Sequence, residues 1–205
     1  PVITLDDPVN DTSFNNNPNL QGSTTAINLT ITDTNLESAW YSNDSGENNY
    51  SDFISNYPST KYGINVTDYA EGAFNITVYA NDSANNIQEK IYNWTIDGNP
   101  PILEWISPNA NEKIHLIKEV RANATDALSS IGSLWVNINS TTSDNYTMTQ
   151  EGNEYFYNLN TASYDDGQYI LIIYGNDTAG NEGRTAPRYI TIDNTPPAVT
   201  LVAPL

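Results

Sequence analysis

Twelve asparagines in this chain stand two residues before a serine or threonine, which is the acceptor pattern for N-linked sugar. The chemistry needs an accessible side-chain amide, so the pattern also predicts exposed positions. Nine of the triplets end in threonine, and none has proline in the middle. We predict glycosylation at these positions: Asn10, Asn28, Asn43, Asn49, Asn65, Asn75, Asn81, Asn93, Asn123, Asn139, Asn145 and Asn176.

Two simpler explanations compete with glycosylation. The chain holds 30 asparagines, although twelve triplets are roughly double the number that such a composition gives by chance. A strand that alternates outward polar and inward apolar residues also produces the triplet, as in Asn28-Leu29-Thr30. Each strand-borne asparagine is nevertheless predicted on the outward face. Asn81 and Asn176 are predicted in tight turns instead.

Aspartates at loop ends suggest a second kind of site. Calcium prefers clustered carboxylate and carbonyl oxygens, and four aspartates are candidate ligands: Asp97, Asp193, Asp82 and Asp177. The first two precede the Pro-Pro pairs, and the other two lie in repeated turns. An aspartate in a turn is more often a cap for the backbone. No segment has the dense ligand spacing of an EF-hand, which argues against calcium, and the sequence points to no other cofactor.

The composition argues against catalysis and against nucleic-acid binding. His115 is the only histidine and there is no cysteine, so the common nucleophile–base pairs are missing. The net charge is −18 with only 7 lysines and arginines, whereas binding to a phosphate backbone needs a basic face. No apolar run reaches the roughly 20 residues of a membrane span. We predict no enzyme activity, no nucleic-acid partner and no membrane span in this segment.

Aromatic residues raise the alternative of a carbohydrate-binding surface, which needs exposed rings. Strand alternation predicts an inward position for all four tryptophans: Trp40, Trp94, Trp105 and Trp135. Tyr41, Tyr79 and Tyr174 are predicted to point outward, which tyrosines in strands often do. The pattern therefore indicates core tryptophans rather than a sugar-binding site.

The elements that position these residues occur twice in the chain. YANDSANN at 79–86 recurs as YGNDTAGN at 174–181, and NWTIDGNPP at 93–101 recurs as YITIDNTPP at 189–197. The offset of 95 to 96 residues is the length of a domain rather than of a solenoid unit. We predict domain 1 over residues 1–98, domain 2 over 99–195, and the start of a third repeat or a linker over 196–205.

Each copy of the repeat predicts a β-hairpin at the end of its domain. Ile76 and Val78 alternate with polar residues, as in a half-buried strand. The turn that follows needs a residue with positive φ, and Gly180 occupies that position in the second copy. Asn85 takes the same position in the first copy and is among the residues that best tolerate that conformation.

About seven short alternating segments recur in each repeat, and none shows helical spacing. This pattern is typical of an all-β chain with two tandem immunoglobulin-like β-sandwich domains. Trp40 and Trp135 lie on the third strand, where such sandwiches bury a tryptophan. The spacing of Asp165 and Tyr169 predicts a tyrosine corner, and Phe74 stands in its place in domain 1.

The run from Tyr174 to Pro197, with its Asn-Asp-x-Ala-Gly-Asn turn and Thr-Ile-Asp-x-x-Pro-Pro exit, resembles tandem immunoglobulin-like or fibronectin-III-like repeats of archaeal and bacterial cell-surface proteins. Domain 1 departs from the pattern at Asn85 and Phe74. The resemblance implies an extracellular protein of a stalk, adhesin, surface layer or filament, and no chemistry. Its expected partners are N-linked glycans and neighbouring repeats or further copies of the chain.

We therefore expect a structural repeat region of a secreted, N-glycosylated surface protein, acting as a spacer or an assembly module. The alternative is an adhesin-type binding module that recognises a glycan or a protein through its loops.

Overall fold

The computed structural model of the 205-residue chain describes residues 1–9, 12–16, 25–43, 48–53, 60–139 and 145–200. Across these residues the fold is all-β, as predicted, with one 3-10 turn at Thr161–Ser163 as its only helical element. Two compact units are present. Unit 1 comprises Pro1–Pro100, Ala127–Ser130 and Asp177–Asn181, and unit 2 comprises Pro101–Asp126, Ile131–Asn176 and Glu182–Leu205.

Unit 1 contains the first seven strands: β1 Val2–Asp7, β2 Thr12–Phe14, β3 Ala26–Thr32, β4 Leu36–Ser42, β5 Lys61–Asn65, β6 Gly72–Asp82 and β7 Ile87–Ile96. They form a three-stranded sheet in the order β1-β3-β5 and a four-stranded sheet in the order β2-β7-β6-β4. The short strand β2 runs parallel to β7. All other strand pairs of this unit are antiparallel within the described residues.

Unit 2 contains ten strands: β8 Ile102–Ser107, β9 Glu112–Ile114, β10 Ile117–Thr125, β11 Ile131–Ile138, β12 Asn145–Thr147, β13 Thr149–Glu151, β14 Glu154–Asn160, β15 Gly167–Asp177, β16 Glu182–Arg184 and β17 Arg188–Ile192. One sheet has the order β13-β14-β10-β8, and the other has the order β12-β11-β15-β17-β9 with β16 beside β15. The number exceeds the predicted seven because four of these strands are only three residues long.

The core of unit 1 lies between its two sheets. Ile27, Leu29 and Ile31 of β3 are fully buried and alternate with polar residues that face outward. From the other sheet, Ile76 and Val78 of β6 enter the same cluster. Burying a side chain of this size contributes about 1.5–3 kcal/mol, so the alternation predicted from the sequence supplies most of the stabilising contacts.

Unit 2 is built on the same plan with different side chains. Val120, Ala122 and Ala124 of β10 occupy the inward positions. The two alanines leave room, and larger residues such as Tyr155 and Leu134 complete the cluster. Close packing in a core depends on the total volume rather than on any one residue.

The predicted hairpin turns are confirmed. Asn85 has a φ of 62° and Gly180 a φ of 92°, both in the left-handed region. In the first turn, a carboxylate oxygen of Asp82 accepts hydrogen bonds from the backbone N–H groups of Ala84 and Asn86, both at 2.9 Å. Aspartate therefore acts as the cap of this turn.

The predicted tyrosine corner is also confirmed. The hydroxyl of Tyr169 donates a hydrogen bond to the backbone carbonyl of Asp165 at 2.9 Å. Its ring packs edge-on against Tyr164, with ring centres 5.4 Å apart. In unit 1, Phe74 makes the corresponding edge-on contact with Tyr69 at 5.3 Å. The ring contact is thus shared by both units, whereas the hydroxyl is present only in unit 2.

Trp40 and Trp135, which the sequence assigned to the core, lie on the outward faces of their sheets. Each is half-buried, and in β4 the core position belongs to Tyr41, with 7% of its surface exposed. The prediction that Tyr41 points outward is therefore wrong as well. In β11, the inward positions on either side of Trp135 belong to Leu134 and Val136.

The register of the strand pairs explains this difference. Trp40 is directly opposite Tyr79 in the β4–β6 pair, and directly opposite residues of an antiparallel pair lie on the same face. Tyr79 faces outward, as predicted, because Val78 and Ala80 on either side of it are fully buried. An irregularity near the start of β4 shifts the alternation of that strand, and the residue pattern alone does not reveal it.

The other two tryptophans agree better with the prediction. Trp94 is 2% exposed, and its indole N–H donates a hydrogen bond to the carbonyl of Val9 at 3.1 Å. Trp105 is half-buried against the core of unit 2. Its N–H donates to the carbonyl of Ala186 at 3.0 Å. Both rings bury their apolar surface while the polar atom keeps a partner.

Candidate functional sites

Eleven of the twelve predicted acceptor asparagines lie among the described residues, and none of these eleven is buried. The exposed ones are Asn43, Asn49, Asn65, Asn75, Asn93, Asn139 and Asn145, and the half-buried ones are Asn28, Asn81, Asn123 and Asn176. Asn10 lies outside the described residues. The outward positions agree with the strand alternation, and glycosylation itself stays a prediction.

Several of these side chains already have local partners. The carbonyl oxygen of the Asn65 side chain accepts hydrogen bonds from the N–H and the hydroxyl of Thr67, at 3.0 and 2.9 Å. Asn139 has a φ of 58° and accepts a hydrogen bond from the N–H of Ile170 at 3.2 Å. These asparagines therefore also have structural roles, which a sugar on the amide nitrogen would have to accommodate.

Asn75 and Asn93 are directly opposite each other in the β6–β7 pair, and both are exposed. Directly opposite residues have Cβ atoms about 4.5–5.5 Å apart. Two sugars attached here would leave the same face of the sheet from adjacent points. The sequence did not reveal this proximity, because the two triplets are 18 residues apart in the chain.

Asn81 and Asn176 lie near the ends of β6 and β15 rather than in the turns that the sequence predicted. The hydroxyl of Ser38 donates a hydrogen bond to the side-chain oxygen of Asn81 at 2.5 Å. In unit 2, the N–H and the hydroxyl of Ser133 donate to the side-chain oxygen of Asn176, at 2.9 and 2.8 Å. The same serine–asparagine pair thus occurs in both units.

A pair of stacked rings lies beside each serine–asparagine pair. The rings of Trp40 and Tyr79 are almost parallel, with centres 5.4 Å apart and an angle of 10°. Trp135 and Tyr174 repeat the arrangement in unit 2, with a distance of 5.9 Å and an angle of 8°. The sequence reasoning missed these pairs because it placed the tryptophans in the core. The register with the outward tyrosines was the signal that could have found them.

Among the four predicted calcium ligands, Asp82 and Asp193 have the properties of structural or exposed residues. Asp82 caps its turn, and the pKa of its carboxyl is lowered, chiefly because the side-chain amide of Asn86 donates a hydrogen bond to it. Asp193 is exposed, and its backbone N–H donates to the carbonyl of Ile114 at 3.1 Å. The structure does not bring these two carboxylates to the others.

Asp97 and Asp177, both in unit 1, do come together. They are 0% and 2% exposed, and a carboxylate oxygen of one lies within 4.8 Å of a carboxylate oxygen of the other. The side-chain amide of Asn181 donates to the backbone carbonyl of Asp97 at 3.0 Å and to the carboxylate of Asp177 at 2.8 Å. Asn15 donates in turn to the side-chain oxygen of Asn181.

Two buried carboxylates at this distance repel each other unless a proton or a cation compensates the charge. Calcium binding therefore stays a prediction for the pair of Asp97 and Asp177, without Asp82 and Asp193. His115 is exposed. In the part of the chain that the structure describes, no helix is long and apolar enough to cross a membrane.

The comparisons with known proteins concern the fold. The model of the Bacterial Ig-like domain (group 3) family matches residues 151–204, which is less than half of the chain. The fibronectin(III)-like modules of Clostridium thermocellum CbhA have 15% identity and a TM-score of 0.53, over 94% of this chain and 94% of that chain. No curated protein is similar enough to the chain to count as a match.

Two further solved structures are similar at a lower level. The D00-D0 domain of intimin has 12% identity and a TM-score of 0.40, over 92% of this chain and 99% of that chain. A tetra-tandem repeat in the extending region of a large adhesion protein has 14% identity and a TM-score of 0.40, over 89% of this chain and 48% of that chain. The fold argument rests on the CbhA modules and the family match: the chain consists of tandem Ig-like β-sandwich domains.

Proposed function

We propose that the chain is a structural repeat region of a secreted, N-glycosylated cell-surface, filament or surface-layer protein, where it acts as a spacer or assembly module. The observation that carries this proposal is the outward position of every described acceptor asparagine, in both units. A polar residue on a solvent-facing strand position is common, but an acceptor triplet there is also accessible to the glycosylation machinery.

Charge and composition support the same function. A net charge of −18 maintains the solubility that an extracellular surface protein needs. Sugars on the outward faces would also cover strands that otherwise offer surfaces for unwanted pairing or for proteases. The match to a Bacterial Ig-like domain family supports a bacterial or archaeal surface protein as the source of such a repeat.

The test is intact-mass spectrometry with glycopeptide mapping of the protein from its native source. We expect a mass well above 22.6 kDa, with sugar on outward positions such as Asn28, Asn75 and Asn123. An Asn75→Gln variant should lose one sugar and leave the others in place. A bare polypeptide mass would refute the glycosylated surface function and leave the triplets as a result of strand alternation.

An adhesin-type binding module is the second candidate, and the outward Trp–Tyr pairs favour it. Exposed aromatic rings are the usual contact surface for sugars, so the unglycosylated chain would bind glycans on an array. Trp40→Ala and Trp135→Ala would each reduce that binding, whereas Trp105→Ala would leave it unchanged, because Trp105 belongs to neither Trp–Tyr pair. An array without signal for the folded, unglycosylated chain would remove this candidate.

A further inference from the structure

Four outward residues are identical in the two units, although the residues behind them differ. The outward quartet is Ser38, Trp40, Tyr79 and Asn81 in unit 1, and Ser133, Trp135, Tyr174 and Asn176 in unit 2. Each member occurs 95 residues after its counterpart. The inward-facing neighbours change at the same offset, since Ala39, Tyr41, Val78 and Ala80 are replaced by Leu134, Val136, Ile173 and Gly175.

The tyrosine and the asparagine of each quartet are neighbours on one strand face. Residues two apart in a strand point to the same side, and the rise of the strand separates them by about 6.5–7 Å. Tyr79 and Asn81 both face outward from β6, and Tyr174 and Asn176 both face outward from β15. A sugar on either asparagine would therefore start beside an aromatic ring.

The serine of each quartet fixes the direction in which the sugar would leave. Ser38 and Ser133 donate hydrogen bonds to the side-chain oxygens of Asn81 and Asn176. Glycosylation of asparagine bonds the amide nitrogen to the anomeric carbon of an activated glycosyl phosphate. One N–H proton is released, and the phosphate carrier leaves with the electron pair. The oxygen is unchanged, so the hydrogen bond from serine persists while the nitrogen carries the sugar.

The chemistry of the rings suits a sugar. An aromatic face carries partial negative charge, and the C–H groups on one face of a pyranose carry partial positive charge. The rings of Trp40 and Tyr79 are almost parallel and each is half-buried on the outward face, and Ile87, directly opposite Asn81 on β7, is 65% exposed. An apolar surface next to the attachment point would be covered by the sugar.

We propose that the first sugar on Asn81 and on Asn176 folds back onto the adjacent tyrosine–tryptophan pair and is held there. The proposal rests on the N-glycosylation in the proposed function, and it commits to one occupant of these faces, the chain's own glycan. The sugar held against the ring would orient the rest of the glycan and cover the end of the strand.

The chain contains an internal control with the same local sequence. Asn43 also follows a tyrosine at two residues' distance and precedes an aspartate and a serine, as Asn81 does. However, the ring of Tyr41 is in the core, with 7% of its surface exposed. A sugar on Asn43 therefore has no outward tyrosine–tryptophan pair beside it. Its amide nitrogen donates a hydrogen bond to the hydroxyl of Tyr69 at 3.1 Å instead, which places the attachment point at the edge of that ring and not over its face.

The experiment uses the full chain, made in a host that N-glycosylates it and trimmed by endoglycosidase to single N-acetylglucosamine residues. Proton NMR then reports whether a sugar lies over a ring, because ring currents shift its resonances upfield. The Asn81 sugar is assigned by its loss in Ser83→Ala, which keeps the asparagine, and the control sugars by Asn43→Gln and Asn75→Gln.

We expect upfield-shifted resonances for the Asn81 sugar and ordinary ones for the sugars on Asn43 and Asn75. Tyr79→Thr, which keeps a good strand former, should return the Asn81 sugar to ordinary positions, and Trp40→Ala should reduce its shift. The sugar on Asn81 should also raise the Tm by about 2–4 °C, and this gain should disappear in Tyr79→Thr.

Ordinary resonances for the Asn81 sugar would overturn the proposal, and so would equal shifts for the Asn81 and Asn43 sugars. Binding of free N-acetylglucosamine oligomers to the trimmed chain at Trp40 would also overturn it, because the ring would then be open to an external ligand. If the protein from its native source has the mass of the polypeptide without sugar, the proposed function is refuted. That measurement is independent of the NMR result on the chain glycosylated in the other host.

Discussion

The two units place different residues in their cores and the same residues on one part of their outward faces. Trp94 of unit 1 is replaced by Ile190 in unit 2, and both are buried, at 2% and 1% exposure. Phe74 is replaced by Tyr169, which gains a hydrogen bond to the backbone. The outward quartets are identical, down to the hydrogen bond between serine and asparagine.

This difference shows that core packing tolerates different residues in the two units, and that packing does not account for the identical residues of the outward quartets. A core accepts exchanges that keep the total volume and the apolar pattern. An outward position has no such volume to fill, and a cross-strand pair contributes only about 0.2–1 kcal/mol. Packing therefore explains the variable core, whereas it contributes little to the choice of residues in the identical quartets.

The largest expected effect comes from removing a ring on the inward side. Trp94→Ala leaves a cavity beside the rings of Phe74 and Tyr92 and should lower the free energy of unfolding by about 3–5 kcal/mol. Trp40→Ala, on the outward side, should cost about 0.2–1 kcal/mol. Urea unfolding followed by far-UV circular dichroism measures both. Equal losses would contradict the outward position of Trp40.

We expect calcium to bind at the Asp97–Asp177 pair and not at the other two predicted ligands, Asp82 and Asp193. At a concentration 100-fold above its Kd, calcium bound at the buried Asp97–Asp177 pair should stabilise the chain by about 2.7 kcal/mol. Asp97→Asn should abolish the response in thermal unfolding, because the pair loses a negative charge. Asp82→Asn, a change in the half-buried cap of the first hairpin turn, should keep the response. A wild-type chain whose Tm is the same with calcium and with chelator would refute calcium binding.

Substitutions at Gly180 and Asn85, the positive-φ residues of the two hairpin turns, should have different effects on stability. Gly180 has a φ of 92° with open space where a Cβ would be, so Gly180→Ala costs only backbone strain, about 1–2 kcal/mol. Asn85→Gly should change the stability by less than about 0.5 kcal/mol, since glycine adopts the same conformation readily. Chemical unfolding of both variants measures the difference. A neutral Gly180→Ala would mean that the turn has another conformation.

The smallest expected effect is a dependence on pH at the first turn. Hydrogen bonds from Asn86 hold the pKa of Asp82 below its ordinary value of 3.8. The charged carboxylate thus stabilises the folded state above that value, and the contribution is lost as the pH falls through the lower, folded pKa. The Tm difference between wild type and Asp82→Asn should therefore be constant above about pH 5 and shrink below pH 3.8. A difference that is independent of pH would exclude this role.

The local pattern predicted most of the fold. Alternation identified the buried faces of β3 and β6, because one residue in two faces the core of a sandwich. The turns at Asn85 and Gly180 followed from the few residues that tolerate positive φ. The spacing between Asp165 and Tyr169 predicted the hydrogen bond of the tyrosine corner.

The sequence predicted only one member of each stacked tyrosine–tryptophan pair on the outward face. The sequence placed Tyr79 and Tyr174 outward, but it placed their stacking partners, Trp40 and Trp135, in the core. The alternation within β4 depends on an irregularity that appears only when the strand pairs with β6. A single residue of shift moves every side chain to the other face.

The sequence by itself determined the all-β class, the hairpin turns and the outward register of the asparagines that it predicted in strands, since each depends on residues close together in the chain. Tertiary structure alone decided which side chains share a face or a buried site. Asn181 reaches Asp97 across 84 residues of chain, and Trp40 meets Tyr79 through strand pairing. Such contacts depend on register between distant segments, which no local pattern encodes.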